Sequence, residues 1–455
     1  MTEERIAENK MGVMPIGKLL ASMSWPAILS MTINALYNIV DSIFVANISE
    51  DALAAVTFVF PINMLIVSFG VGTGVGVNSL ISRRLGAQRF EEANLAAEHG
   101  LRLALLNWLF FAIFGGIFAE IFMSAYSDIP HIVADGTAYM RITTVGSLFI
   151  MLTMMTEKTL QARGNMIFPM MSSLLGAIVN IILDPILIFG YFGMPKMGVT
   201  GAALATIIGQ FCSMCFCMLA LFKIDKFYKI RIRGFRFQWQ TIKDIYEIGL
   251  PSIVMQSIGS IMLFGFNAIL AKNTTAVAVL GVYFRLQSFV FMPVFGMNQG
   301  ALPIMGYNYG ARNRERLMHT FRLALIAAAL YMFCGLIVFQ LFPSNLLDIF
   351  EASFDMKEIG ISALRMISLS FLPAAFGIMS TTVFQATAHG LFSLLASFIR
   401  QLVALLPIAW ILMRLFGVEL VWMAFPLAEI VGFVYSAFSL RYVYRKDIKN
   451  MTPEI

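Results

Sequence analysis

Charged residues are scarce in this sequence: Asp, Glu, Lys and Arg supply 13% of its 455 positions, whereas hydrophobic residues supply 59%. Soluble domains have roughly 25% charged and about 45–50% apolar residues, because their surfaces must stay polar. The composition therefore excludes a soluble fold of this length. Apolar runs of about 20 residues match a hydrocarbon layer roughly 30 Å thick. The sequence predicts an all-α polytopic membrane protein.

Cysteine and histidine are rare, with four of each. The segment FCSMCFC contains a C-x-x-C from Cys212 to Cys215, but it has no second pair and no neighbouring His, so we interpret it as packing. The histidines show no metal-ligand spacing. Gly12 to Lys18 fits the first part of a phosphate-binding loop, but Leu19 stands where Ser or Thr must hold magnesium. We expect no cofactor, no enzymatic activity and no ATP-driven pumping.

Twelve apolar segments are predicted to span the membrane. The amino terminus mixes acids with bases and lacks a small-residue cleavage site, so we expect the first apolar run to be a span rather than a signal peptide. The approximate ranges are 19–46, 52–81, 103–123, 132–160, 168–191, 198–222, 245–271, 276–307, 320–342, 358–386, 392–415 and 418–440.

The Lys and Arg residues predict the orientation of these spans. Of the 32, 24 lie in the termini and in the connections of one side, against four in the connections of the other side. Because positive residues stay cytoplasmic, we expect both termini in the cytoplasm of a bacterial cell and the spans in its cytoplasmic (inner) membrane. The basic 223–244 connection is expected to face anionic lipid headgroups, so the net charge of +6 needs no nucleic-acid partner.

The chain repeats itself at a spacing of 224 or 225 residues. The matched residues are Pro26 and Pro251, Gly72 and Gly296, Gly76 and Gly300, and Leu85 and Tyr309. Two six-helix halves with one orientation are related by an axis along the membrane normal. We predict an N-terminal lobe at 1–222, a linker at 223–244 and a C-terminal lobe at 245–455, around a central cleft that suits alternating access. The glycines four apart predict close helix packing.

Carboxylates inside the spans are costly, by roughly 2.5 kcal/mol or more, so each needs a reason. Asp41 lies in the first span and Asp184 in the fifth, with Asn180 one turn before Asp184. Their oxygens would bind Na⁺ as a metal, and a buried carboxylate would instead carry H⁺. We add Glu157 and Thr206 as weaker ion-coupling candidates, and a structural polar network is the alternative.

The acids are confined to the first half, because the positions that match Asp41, Glu157 and Asp184 in the second half are Phe266, Thr381 and Ile408. We therefore expect the second half to supply substrate cavity. Arg400 and Glu429 are expected either to pair or to line that cavity. Many Met and Phe side chains would suit small organic cations or amphiphilic drugs. The candidate cavity residues are Asn34, Asn38, Gln161, Arg285, Met292 and Arg400.

Several motifs together point to one family. They are SWPAI around Pro26, DSIFVANI from Asp41, LGAQ at 85–88, QARGN from Gln161, N-x-x-x-D from Asn180 to Asp184, and GMPKMGVTGAALAT ending at Thr206. With these, the chain resembles the multidrug and toxic compound extrusion (MATE) family over nearly its full length, and within it the DinF-type or MepA-like branch. That branch keeps its essential acids in the first half, at positions matched by Asp41 and Asp184.

The resemblance implies a monomeric secondary active antiporter that exports bulky, often cationic compounds in exchange for H⁺ or Na⁺. Another branch of the family also places acids on the seventh and tenth spans. This sequence departs from that branch, because it offers Gln256 and Asn267 on the seventh span and no carboxylate at 360–386. The alternatives are a flippase for lipid-linked saccharides, expected to need a strongly cationic cleft, a membrane-embedded enzyme, and a channel.

Overall fold

The computed structural model describes residues 9–224, 228 and 237–452, with the side chains there except those of Asn38, Ser42, Ala46 and Glu50. Helices account for almost all of this part of the chain, and it contains no strand. The α-helices are α1 Lys10–Val13, α2 Ile16–Ala46, α3 Glu50–Gly86, α4 Phe90–Ser124, α5 Pro130–Ala162, α6 Ile167–Phe189, α7 Val199–Leu219, α8 Trp239–Leu270, α9 Thr274–Gly310, α10 Arg314–Leu341, α11 Pro343–Asp348, α12 Phe354–Ser368, α13 Phe371–Ala386, α14 Gly390–Phe398, α15 Leu406–Phe416 and α16 Ala424–Val443.

Within the described residues, the helices are long and apolar enough for up to twelve membrane spans, in agreement with the twelve predicted. Eleven are long apolar helical segments, and the twelfth is the pair α12 and α13, which is bent by 47°. The sequence predicts one span at 358–386, and the structure shows that this span is broken. Pro373 has no N–H to donate to the carbonyl of Leu369 and its ring clashes with that carbonyl, so the helix breaks at Leu369 and Ser370.

The eleventh span is also irregular. A π-helical segment, Ile399–Leu405, separates α14 from α15. Pro407 follows it and cannot donate to the carbonyl of Val403, so the regular hydrogen-bond pattern is already interrupted there. π turns inside helices are frequent at functional sites. In contrast, α2 continues through Pro26 as a single helix.

The chain forms two compact units. The N-terminal unit is Leu29–Leu85 with Arg89–Ile253, and the C-terminal unit is Met1–Ile28, Gly86–Gln88 and Val254–Ile455. Both α2 and α8 therefore contribute residues to both units. The borders fall inside these two helices rather than at the 223–244 connection, half of which lies outside the described residues.

The repeated glycines explain where these borders fall. In the N-terminal unit, a Cβ at Gly76 would stand 2.2 Å from the Ile245 carbonyl oxygen, and one at Gly72 would stand 2.7 Å from the Ile253 nitrogen. In the C-terminal unit, a Cβ at Gly300 would stand 2.9 Å from the Ser24 nitrogen. Each glycine pair thus packs directly against a neighbouring backbone, which confirms the predicted close approach.

Candidate ion-coupling site

Small residues bring α6 and α7 together inside the N-terminal unit. A Cβ at Gly209 would lie 2.8 Å from the Gly176 carbonyl oxygen, and one at Gly201 would lie 2.5 Å from the Leu187 carbonyl oxygen. Larger side chains would separate the two backbones, so these glycines set the spacing between the helices. The glycine- and alanine-rich start of α7 therefore carries Thr206 directly against α6.

Asn180 and Asp184 occupy successive turns of α6 and are almost fully buried, at 2% and 0% exposure. The Asn180 amide nitrogen donates to Asp184 Oδ1 at 3.3 Å and to Thr206 Oγ1 at 3.4 Å. Pro185 follows and leaves the carbonyl of Ile181 without its usual helical donor. The structure thus brings together Asn180, Asp184 and Thr206, as the sequence predicts.

Asp41 joins this group from α2. It is partly buried and close enough to Asp184 for its charge to act on that carboxyl group. Tyr37, one turn before Asp41, forms a hydrogen bond with Thr206 and also lies within electrostatic reach of both acids. We call Tyr37, Asp41, Asn180, Asp184 and Thr206 the acid cluster.

Tyr139 of α5 completes the surroundings of the acid cluster. It is buried, hydrogen-bonds to the Asn63 side chain and lies within electrostatic reach of Asp41, Asp184 and Tyr37. Sequence reasoning missed both tyrosines. The position of Tyr37, four residues before Asp41 on the same helical face, was a usable signal, whereas nothing in the local sequence marks Tyr139.

Three oxygens of the acid cluster are buried and accept no hydrogen bond from any described residue: Asp41 Oδ1, Asn180 Oδ1 and Asp184 Oδ2. Buried polar atoms of this kind are normally satisfied, so each needs a partner. Two carboxylates close together away from water also repel each other unless a positive charge lies between them. An oxygen-ligated hard cation or a proton would supply that charge.

Glu157 lies elsewhere in the N-terminal unit. It sits on α5, 18 residues after Tyr139, which is about 27 Å along a helix. Its carboxyl group hydrogen-bonds to Ser172 and lies near Lys158 and Cys217. The structure therefore does not bring Glu157 into the acid cluster.

The cavity candidates of the first half have different surroundings. Gln161 is 5% exposed, and its Oε1 accepts a hydrogen bond from Lys158 Nζ at 3.0 Å. Gln161 is thus part of a buried pair. Asn34 is exposed on α2. Asn38 lies in the same helix, but its side chain is outside the described part of the structure.

The cavity candidates of the second half lie in the C-terminal unit. Arg400 Nη1 is 2.8 Å from Glu429 Oε1, which confirms the pairing alternative. The Arg400 stem lies over Gly432, where a Cβ would be 3.1 Å away, and Tyr283 lies within electrostatic reach of both charges. Arg285 is exposed, and Met292 is half-buried. The positive charge of Arg400 is therefore neutralised by Glu429.

The described residues contain no group of three or more His, Cys, Asp or Glu side chains that would hold a metal ion, and their four cysteines are free. The acid cluster differs from such sites because it combines two carboxylates with amide and hydroxyl oxygens. That donor set suits Na⁺, a hard and weakly held ion.

The sequence model of the MatE family matches residues 26–186 and again residues 251–411. The two matches begin at Pro26 and Pro251 and together cover most of the chain, so the repeat and the family agree. The chain belongs to the MATE family of transporters. It is a MepA-like, multi-pass membrane protein, as the motifs predict.

Relatives of this MATE-family protein are similar over nearly their full length. The FAD transporter of Shewanella oneidensis is 25% identical, with 92% of each chain covered. The multidrug export protein MepA of Staphylococcus aureus is 24% identical, with 97% of each chain covered. The fold is similar to that of a multidrug resistance MATE transporter solved in an outward-facing conformation, with a TM-score of 0.89, 29% identity, and 96% and 99% of the two chains covered.

Proposed function

We propose that this MATE-family transporter is a secondary active antiporter that exports small organic cations or amphiphilic drugs in exchange for H⁺ or Na⁺. The observation that supports this most directly is the set of unpartnered oxygens of Asp41, Asn180 and Asp184 in the N-terminal unit. A site built only for structure would satisfy these atoms with donors of its own.

The acid cluster suggests how an ion would act. The Asn180 amide holds Asp184 and Thr206 in place on α6 and α7, whereas Asp41 arrives on the separate helix α2. An entering cation or proton removes the repulsion between Asp41 and Asp184 and lets α2 approach α6. Loss of the ion restores the repulsion. Ion binding is thereby converted into a displacement of α2, which is the step that antiport requires.

The cavity candidates of the C-terminal unit favour a cationic or amphiphilic cargo. FAD carries a pyrophosphate and a lipid-linked saccharide carries a similar anionic group, and both call for unneutralised basic side chains. Arg400 is already paired with Glu429, which leaves Arg285 as the remaining basic candidate. The FAD transporter among the relatives makes FAD the second substrate to test.

The remaining parts of the proposal follow from the sequence. We place the protein in the bacterial cytoplasmic membrane as a monomer with both termini in the cytoplasm, because of its distribution of Lys and Arg. We also propose that it has no catalytic activity, no resident cofactor and no nucleic-acid partner.

The test is transport by the purified protein in proteoliposomes. Ethidium efflux is followed by fluorescence while a pH gradient or a Na⁺ gradient is imposed separately, and FAD is loaded in parallel vesicles. We expect one of the gradients to drive ethidium efflux. Asp41→Asn and Asp184→Asn should each reduce gradient-driven efflux to the level of empty vesicles.

Asp128→Asn is the matched control, because Asp128 is exposed on the connection between α4 and α5 in the same unit. It should transport like the parent protein. Full gradient-driven efflux by a folded Asp184→Asn variant would overturn the proposal. If a gradient drives the movement of FAD but not of ethidium, ion coupling stands, and FAD replaces organic cations as the proposed substrate.

A further inference from the structure

A groove of about 830 Å³ lies in the C-terminal unit, away from the acid cluster. Its walls come from one face of α10, which presents Arg314, His319 and Arg322, and from α16 and its continuation, which present Arg441 and Tyr444. The positions are spaced by three to five residues along each helix, so each set lies on one side of its helix. The groove therefore has basic side chains on both walls.

Two of these arginines have no partner within the described part of the chain. Arg322 and Arg441 are exposed and make neither an ion pair nor a side-chain hydrogen bond there. Arg314 is held in place by the Tyr444 hydroxyl group and by the Lys449 carbonyl oxygen, the latter at 3.2 Å. Glu315 is the one acid among the lining residues. Three arginines against one glutamate leave the groove with a net positive charge.

The floor of the groove is apolar. Phe376, Ala437 and Leu440 line it, and the same helix α16 exposes Val434 at 45% and Phe438 at 69%. An apolar track therefore leads from the basic walls along the outer surface of a membrane span. A free phosphate would use the arginines alone, whereas a phospholipid would use both the charges and the track.

The repeat shows that these charges are not required by the fold. At the spacing of 224 residues, Arg314 and Arg322 correspond to Phe90 and Glu98 of the first half. The same scaffold thus carries no basic pair there. Arg314 and Arg322 therefore have a role in the C-terminal unit that the shared fold does not explain.

We propose that this groove binds the headgroup of an anionic phospholipid from the cytoplasmic leaflet. Arg322 and Arg441 contact the phosphate, and an acyl chain lies along Ala437 and Phe438. Basic pockets between spans on the cytoplasmic side recognise such lipids. The choice of leaflet rests on the proposed orientation of the termini, but the binding itself does not. Lipid binding can therefore fail while antiport stands, and the reverse also holds.

The experiment measures the binding of phosphatidylglycerol and phosphatidylcholine to the purified full chain by native mass spectrometry at matched lipid concentrations. The parent protein should prefer phosphatidylglycerol. Each arginine near an anionic headgroup is worth about a fivefold change in affinity, so R322Q/R441Q should bind phosphatidylglycerol about 30-fold more weakly. K272Q/R414Q removes two positive charges from the other end of the spans in the same unit and should bind like the parent.

Ala437→Trp provides an independent variant, since it fills the floor and leaves every charge in place. It should also bind phosphatidylglycerol more weakly, and it tests the proposal even if the double variant unfolds. Equal affinities of the parent for the two lipids would overturn the proposal. So would equal losses in R322Q/R441Q and K272Q/R414Q, or displacement of the lipid by millimolar inorganic phosphate.

Discussion

Gly76→Ala perturbs the contact between α3 and the first half of α8 with a single added methyl group. In the N-terminal unit its Cβ would stand 2.2 Å from the Ile245 carbonyl oxygen and 3.1 Å from the Gly249 nitrogen. Both atoms belong to a helix backbone, so neither moves away without a shift of the whole helix. Gly116→Ala is the matched substitution in α4, because its Cβ would meet nothing within 4 Å.

The two substitutions should change stability in opposite directions. Alanine is favoured over glycine inside a helix by about 0.8–1.0 kcal/mol, so Gly116→Ala should stabilise the protein by about that amount. Overpacking of a tight contact costs about 1–3 kcal/mol. We expect Gly76→Ala near the upper end of that range, since its contact is almost 1 Å closer than the 3.0 Å that real Cβ atoms respect.

Thermal unfolding of the purified protein in detergent measures the difference. For a domain of about 150–250 residues, 1 kcal/mol corresponds to a shift of roughly 2–4 °C in Tm. Gly76→Ala should therefore lower Tm by about 4–12 °C, and Gly300→Ala, whose nearest backbone atom is 2.9 Å away, by less. The reasoning is refuted if Gly76→Ala raises Tm as Gly116→Ala does.

Three further predictions concern polar contacts inside the two units. Glu429→Leu leaves the partly buried Arg400, 25% exposed, without its counter-charge. The loss should stay below the roughly 3–5 kcal/mol of a fully buried pair, and R400M/E429L should recover most of it; thermal unfolding of the single and double variants measures this, and equal stability of both would contradict it. Thr206→Val removes the hydroxyl that Asn180 contacts at 3.4 Å and should weaken the apparent affinity for the coupling ion about 2- to 10-fold; ion-dependent ethidium efflux measures it, and an unchanged affinity would remove Thr206 from the cluster. Burial raises the pKa of the Tyr228 phenol, which donates to the Thr159 carbonyl oxygen at 3.0 Å. The neutral phenol therefore contributes to the stability of the folded protein below pH about 10, and this contribution is lost as the pH rises further. In thermal unfolding, Tyr228→Phe should be less stable at pH 7 by about 1–2 kcal/mol and should not show that loss of stability at alkaline pH. An identical dependence of Tm on alkaline pH in both proteins would refute the prediction.

The sequence was sufficient for the parts of the fold that depend on composition and spacing. Long apolar runs identify the spans, and the repeat identifies the paired glycines. The grouping of Asp41, Asn180 and Asp184 also follows from the sequence, because carboxylates and amides inside spans are rare enough to notice.

The parts that depend on packing between helices were not accessible in this way. Glu157, like Asp41, is a carboxylate inside an apolar span, but its position along α5 separates it from the acid cluster. Which positions of two helices lie side by side depends on how the helices pack, and the sequence does not show this. Tyr139 is one of many aromatic residues in the sequence, so its type alone does not mark it as part of a site. The borders inside α2 and α8 follow from contacts with glycines on other helices.

The central claim is that the acid cluster holds the coupling ion and releases it when substrate binds. By linkage, a substrate that competes with an ion must release that ion on binding. The direct measurement adds ethidium to the purified protein in weakly buffered solution and follows the released H⁺ with a pH dye, or the released ²²Na⁺ after loading. We expect release from the parent and from Asp128→Asn, and none from D41N/D184N. Equal release from D41N/D184N would place the coupling ion outside the acid cluster and contradict the account.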